Sequence, residues 1–237
     1  MDSTFGTFGI VLNRFPVNEN DVKAIVYTKD DGKLELIARG AKKMSSKIAG
    51  HIETLNFINL MVVKGRHYDY IGSAICLDCF YNIKNDFEKI KDIGETINFF
   101  NSAIKVGEPD KKIFELLKSF LETVNKKETD SELLSSFFIF KLLIELGHGP
   151  ELYNCLSCGS KIKEENNVFD LKQGGLTCQK CLRRPGKNYQ LTVSPECIKV
   201  LRLIKNSDIN KFNLKIKQKE KNDILKIISS LEKYISC

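Results

Sequence analysis

The sequence predicts an α+β protein: an N-terminal β-barrel of the OB type, followed by an α-helical domain with an inserted four-cysteine zinc module. Three observations predict it. Up to about residue 75 the chain reads as short β runs broken by turns. From residue 76 apolar residues recur at three- and four-residue spacing. Cys155-x-x-Cys158 and Cys178-x-x-Cys181 enclose nineteen residues, inside the window of two-pair zinc sites. The expected boundaries are 1–75 for the barrel, 76–150 and 188–237 for the helical domain, and 151–187 for the zinc module.

The β runs are "GIVL", "DVKAIVYT", "KLELIARG", "HIETLNFINLMVV" and "RHYDYIGSAI", rich in Val, Ile, Leu and Phe. Asp30-Asp31-Gly32-Lys33 and Lys64-Gly65-Arg66 are turn signals between them. Five short strands in about seventy residues suit a small closed barrel.

The helical part opens with "FYNIKNDFEKIKDIGETINFFNSAI" and continues through "DKKIFELLKSFLETVN" and "SELLSSFFIFKLLIELG". Asp110 and either Asp130 or Ser131 are predicted N-caps, and Gly147 is a predicted C-cap with Pro150 beyond it. The third segment has too few polar positions for a surface helix, so Phe137, Phe138 and Phe140 are assigned to the core rather than to base stacking. After the cysteines, "SPECIKVLRLIKNSD" and "KNDILKIISSLEKYI" return to helical spacing. Ser194 and either Asn222 or Asp223 are the expected caps, and Pro195 takes the first helical position.

A two-residue gap lets both sulfurs of a cysteine pair reach one tetrahedral ion at about 2.3 Å. Two pairs, Cys155 with Cys158 and Cys178 with Cys181, fill the four positions of a single Zn2+. No position remains for water or substrate, so the ion is structural. Gly159 after Cys158 and Gly174-Gly175 before the second pair allow the tight turns such knuckles need. Lys161, Lys163, Lys180, Arg183, Arg184 and Lys187 surround the module. Structural support is the default reading of the module, and a phosphate contact by these cations is the other.

Cys76 and Cys79 form a third pair without a fourth, and are expected to be small buried hydrophobes. With His51-x-Glu53 they superficially match a zinc deaminase signature. Ile75 stands where that signature has proline, and the His-x-Glu pair lies in a β-patterned stretch. There is no phosphate-binding G-x-x-x-x-G-K-[ST] loop and no G-x-S-x-G elbow, and His51, His67 and His148 are scattered. The reading is therefore of a protein that is not an enzyme.

Hydrophobic residues make up 42% and charged residues 28%, the balance of a folded chain. No apolar run approaches the roughly 18 residues needed to span a bilayer, and "MDSTFGTFGIVL" is unlike a signal peptide, so a cytoplasmic protein is expected. The formal charge of +7 favours a polyanionic partner, although codon bias toward lysine produces the same sign. Arg39, Lys42, Lys43 and Lys47 lie in "ARGAKKMSSKIAG", with no acidic residue between Glu35 and Glu53. Such a loop can track a phosphate backbone, and a solvated loop serving solubility explains it equally well. Arg14, Lys64 and Arg66 extend the patch, and Phe5, Phe8, Tyr68 and Tyr70 are possible stacking groups.

The order of barrel, helical domain and cysteine module resembles the bacterial RecO recombination mediator family. The words that carry the resemblance are "GIVLNRFPVNENDVKAIVYTKDDGKLELIARGAKKMSSK", "FFIFKLLIELGHGPELYNCLSCG" and "GGLTCQKC". The most specific is the passage from Phe140 to Gly159, which reads "LL-x-x-LG-x-x-P-x-L-x-x-C-x-x-CG". The resemblance implies binding of single- and double-stranded DNA, annealing of complementary strands, and partnership with RecR and single-stranded DNA-binding protein in loading recombinase. It also implies a place in the cytoplasm at the nucleoid. The Cys76-Leu77-Asp78-Cys79 pair is a departure from the family pattern. The late helix around Val200, Leu201, Arg202 and Lys205 is a candidate dock for the single-stranded DNA-binding protein. An RNA-binding or transcription-associated module is the alternative, because OB barrels and zinc ribbons also serve RNA.

Overall fold

The computed structural model describes residues 3–126, 130–163, 165, 167–181, 189–211 and 216–233. The chain divides into two compact units, Met1–Glu128 and Thr129–Cys237. In the first, β1 (Thr4–Pro16), β2 (Val22–Thr28), β3 (Gly32–Ala38), β4 (Phe57–Val63) and β5 (Asp69–Asp78) close into a barrel in the order β1-β2-β3-β5-β4. β1 serves two neighbours. Its residues from Thr4 to Ile10 pair with β4, those from Gly9 to Pro16 pair with β2, and a bulge between Val11 and Asn13 turns it between them. The parallel contact of β3 with β5, Leu36 opposite Asp69 and Ile37 opposite Tyr70, completes the OB arrangement.

Small and branched side chains fill the interior: Val11, Ala24, Val26, Leu36, Ala38, Leu60, Val62 and Ala74 among them. β2 is apolar on both faces because its outward side is also covered. Tyr27 is fully buried, its ring meets Phe100 edge-on at 5.0 Å, and its hydroxyl donates to the Asp110 carbonyl at 3.3 Å. Phe100 belongs to α2 (Phe87–Ala103) and Phe114 to α3 (Lys111–Val124), so these helices, with the short α1 (Tyr81–Lys84), group with the barrel. Burial pushes the Tyr27 phenol up to about 12.

Two stretches differ from the sequence expectation. The segment read as one helix from Phe80 is split at Asn85-Asp86, because the Asp86 carboxylate accepts from the Lys89 N–H at 3.1 Å and starts a new helix. The strand expected from His51 begins only at Phe57. Residues 51–56 are turns, closed by the Asn56 side chain donating to Gly50 and His51 carbonyls at 3.0 and 2.9 Å, with Leu55 at φ 72°. Gly32 is required where β2 turns into β3: its φ is 70°, and a Cβ there would meet the Glu108 carbonyl at 2.6 Å.

The second unit is built on α4 (Ser131–Glu145), which packs against α5 (Pro195–Asn206) and α6 (Gln218–Lys233). Phe137, Phe138 and Phe140 are buried in its core, as their setting among Leu and Ile predicts. Asp130 and Ser194 cap α4 and α5 by accepting from the Leu133 and Cys197 N–H groups at 3.0 and 3.1 Å. Gly147 closes α4 at φ 84°; its N–H donates to the Ile144 carbonyl and that of His148 to the Leu143 carbonyl, the Schellman pattern. α6 starts at Gln218, ahead of the expected caps Asn222 and Asp223. Its first turn is all polar and gives no apolar period to read. A three-stranded sheet, β6 (Asn167–Asp170) between β7 (Gly175–Thr177) and β8 (Gln190–Val193), carries the cysteine module.

Two lysines close helix ends. Lys89 is buried and donates to the Val124 and Lys126 carbonyls at 2.9 and 2.8 Å, and Lys141 donates to the Ile204 and Ser207 carbonyls at 3.1 and 2.6 Å. Each places its ammonium on carbonyls at and just beyond the C-terminal end of α3 or α5, where the helix dipole favours a cation.

Candidate metal centre and nucleic-acid interface

The four sulfurs of Cys155, Cys158, Cys178 and Cys181 lie within 4.8 Å of one another, a set that could hold a metal ion. An ion held tetrahedrally about 2.3 Å from each sulfur requires neighbouring sulfurs about 3.8 Å apart. Cys158 and Cys178 are separated by 3.9 Å. Two short turns bring them there. In the first, Gly159 takes φ 69°, its N–H donates to the Cys155 carbonyl at 2.9 Å, and the Cys155 N–H donates to the Ser160 carbonyl at 2.8 Å. In the second, a 3-10 turn at Gln179–Cys181 carries the N–H of Cys181 to the Cys178 carbonyl at 3.0 Å.

The electrostatics of the site ask for a cation. Burial opposes ionisation of Cys155, yet donors led by the Cys178 N–H, 3.4 Å from its sulfur, outweigh it and bring the thiol down to about 6. The Ser160 hydroxyl, 3.0 Å from the Cys158 sulfur, lowers that thiol too. Cys181 is pushed up to about 12, because its proton is shared with Cys158 and then Cys178. Four crowded thiolates coexist only when a cation replaces that proton. Of the surrounding cations named from sequence, Lys161, Lys163 and Lys180 are described, while Arg183, Arg184 and Lys187 lie outside the described residues.

The basic loop joins β3 to β4 and is a chain of tight turns. The Lys43 N–H donates to the Gly40 carbonyl at 3.1 Å and the Ser46 N–H to the Lys43 carbonyl at 2.9 Å. Arg39, Lys42, Lys43 and Lys47 are all exposed. The loop is fastened to the connection between β1 and β2: Asp21 accepts from the Gly40 N–H at 2.8 Å, and the Lys42 N–H and ammonium donate to the Asn20 and Asn18 carbonyls at 2.9 and 3.0 Å. The open cleft between the two connections, about 470 Å3, is lined by Arg39 and Lys43 on one side and Asn18 to Asp21 on the other.

The Arg39 guanidinium lies over the Tyr70 ring at 4.1 Å, and the Lys64 ammonium over Phe5 at 5.6 Å. Arg66 and Tyr68 are exposed on the connection from β4 to β5. Arg14 is engaged: it pairs with Glu53 at 2.7 Å and reaches the Ala49 carbonyl at 3.4 Å. Asp21 escaped the sequence reading. Its signal was "NEND", an Asx turn in which the Asn18 side chain accepts from the Asn20 and Asp21 N–H groups, both at 2.8 Å.

The Gly40 N–H, and then Asn18, hold the Asp21 carboxyl below its ordinary value of 3.8. Its folded pKa is depressed, so the fastening is complete above the ordinary carboxylate range and is lost only as pH falls through the lowered value. Asp21→Ala is expected to raise hydrogen exchange at Gly40 at least tenfold at pH 7. In the parent protein, Gly40 protection, corrected for intrinsic exchange, should hold from pH 7 to pH 5.

Cys76 is half-buried and Cys79 exposed, so they are not the buried hydrophobes expected from sequence. Among the described residues the four-cysteine cluster is the metal-competent group found. His51 accepts from the Cys76 N–H through Nδ1 at 3.1 Å, and Glu53 is paired with Arg14. The deaminase constellation does not assemble. On α5, Leu201 is buried and Arg202 donates to the Leu152 carbonyl at 2.7 and 3.1 Å, which ties the helix to the cysteine module, while Val200, Arg202 and Lys205 are each partly exposed. Among the described residues no helix is long and apolar enough to cross a membrane.

Comparison with known proteins gives two family matches: the model described as Recombination protein O N terminal covers residues 1–80, and Recombination protein O C terminal covers residues 98–234. The chain is 28% identical over 226 residues to the DNA repair protein RecO of Desulforamulus reducens, covering 95% of this chain and 87% of that protein. It is 27% identical over 231 residues to the DNA repair protein RecO of a Thermoanaerobacter species, covering 96% and 90%. A third relative, the DNA repair protein RecO of Alkaliphilus metalliredigens, is 27% identical over 175 residues, which is 74% of this chain and 71% of the relative.

Proposed function

The chain belongs to the recombination protein O family of DNA repair proteins, and from that premise we propose that it is a non-enzymatic recombination mediator whose basic barrel loop binds DNA. The observation that carries this reading is the β3–β4 loop, where Arg39, Lys42, Lys43 and Lys47 are exposed on turns held by Asp21. Arg66 extends the track, and Arg14 adds less because Glu53 already neutralises it. Phosphate contacts carry no base information, so single and double strands both bind with little sequence preference.

Annealing follows from the same charges. Cations that screen two backbones let complementary strands approach closely enough to pair. The cysteine cluster holds one structural Zn2+, which four thiolates close to water and substrate. The partners are RecR and single-stranded DNA-binding protein, with which the protein helps to load recombinase on coated strands in the cytoplasm, at the nucleoid.

Binding to single-stranded DNA and single-stranded RNA of one length, measured in competition, tests the nucleic-acid assignment. DNA should compete at least as well as RNA. A tenfold preference for RNA would support an RNA-binding module instead.

A further inference from the structure

Met44 is a large apolar side chain with no apolar environment. It sits at the first central position of the turn from Lys43 to Ser46, fully exposed to solvent. Its neighbours Lys42, Lys43, Ser45 and Lys47 are exposed as well, so the loop presents one thioether surrounded by cations. The turn is fixed by its own backbone hydrogen bond and by the fastening of Gly40 and Lys42 to the β1–β2 connection. That connection and the end of β1 add two further exposed apolar side chains, Phe15 and Val17.

Solubility explains the lysines of such a loop but not an apolar tip. A lone exposed methionine costs little, yet here it stands at the apex of a hydrogen-bonded turn with lysines on both sides. The matching partner has anionic groups spaced about apolar faces, which describes a nucleic acid strand: phosphates outside, stacked bases between. Methionine is one of the side chains that proteins insert between neighbouring bases to unstack them.

We propose that Met44 is a wedge that inserts between adjacent bases of a bound single strand, while Lys43 and Lys47 hold the flanking phosphates. This rests on the DNA-binding reading above and extends it to the bases. Unstacked bases are presented singly, with pairing edges free, to a complementary strand. Insertion needs only a π-face and therefore adds no sequence preference.

The test uses the full-length protein and a single-stranded oligo(dA) carrying one 2-aminopurine, whose emission rises when it is unstacked, with binding followed separately by anisotropy of an end label. The parent protein should raise emission at least twofold at saturation. Met44→Ala should lose more than half of that rise, with the slope of log affinity against log salt unchanged, and Met44→Leu should keep it. Because the side chain is exposed, neither variant should alter the unfolding midpoint. A full rise with Met44→Ala, or no rise with the parent protein although anisotropy reports saturation, overturns the wedge and leaves DNA binding intact. Failure of the parent protein to saturate by anisotropy overturns the DNA-binding reading, and the wedge with it.

Discussion

Cys155→Ser is expected to unfold the cysteine module and to lower the stability of the second unit by at least about 4 kcal/mol, enough to abolish its cooperative transition. The four sulfurs lie within 4.8 Å of one another, and the scaffold around the two turns is small: one 3-10 turn, backbone hydrogen bonds, a three-stranded sheet with Leu152, Phe169 and Leu176 buried, and the Arg202 bonds to the Leu152 carbonyl. Structural zinc contributes about 10–16 kcal/mol to the folding of such modules, comparable with the whole stability of a domain. Cys155 is the most buried of the four, so a serine there leaves both a missing ligand and a buried hydroxyl. Metal analysis should fall from one zinc per chain to below half, and calorimetry should retain only the transition of the barrel unit. An unchanged thermogram with no zinc in the parent protein would rule out a structural metal in this module.

Replacing Arg39, Lys42, Lys43 and Lys47 together by alanine is expected to weaken single-stranded DNA binding strongly and to flatten its salt dependence. Each phosphate neutralised on a single strand contributes about 0.7 to the slope of log affinity against log salt, so four cations account for nearly 3. Between 50 and 200 mM salt those contacts alone represent a loss of about 50-fold, which the variant should no longer show. The contributions are unequal. Lys42 also fastens the loop through the Asn18 carbonyl, and Arg39 is seated on Tyr70, so single replacements there disturb position as well as charge. Lys43 and Lys47 should act through charge, each lowering the slope by about 0.7. An unchanged slope for the quadruple variant would move DNA binding elsewhere.

The features legible in the sequence were those set by local chemistry. The caps at Asp110 and Ser194, the cap at Asp130 as one of two candidates, the Schellman glycine at Gly147 and the buried phenylalanines of α4 follow from residues within a turn or two of one another, and the cysteine cluster from two local Cys-x-x-Cys pairs at a characteristic separation. What the sequence hid depends on distant partners. The apolar stretch after His51 alternates like a strand, but Asn56 bonds back to Gly50 and His51 and holds it in turns. Tyr27 reads as one more strand residue, and only the approach of Phe100 and Asp110 makes it the seat of α2 and α3. The same applies at the candidate interface. The cations of the basic loop were visible, whereas the pairing of Arg14 with Glu53 and of Asp21 with Gly40 depends on residues brought together by the barrel.

In the proposed function the barrel loop brings complementary DNA strands together. The measurement that meets it most directly is the annealing rate of complementary oligonucleotides, naked and coated with single-stranded DNA-binding protein, with the parent chain and the quadruple alanine variant. The parent should accelerate annealing of both substrates at least tenfold, and the variant should leave both near the spontaneous rate. Equal acceleration by parent and variant, or none by the parent at concentrations that saturate the strands, would exclude annealing by this loop.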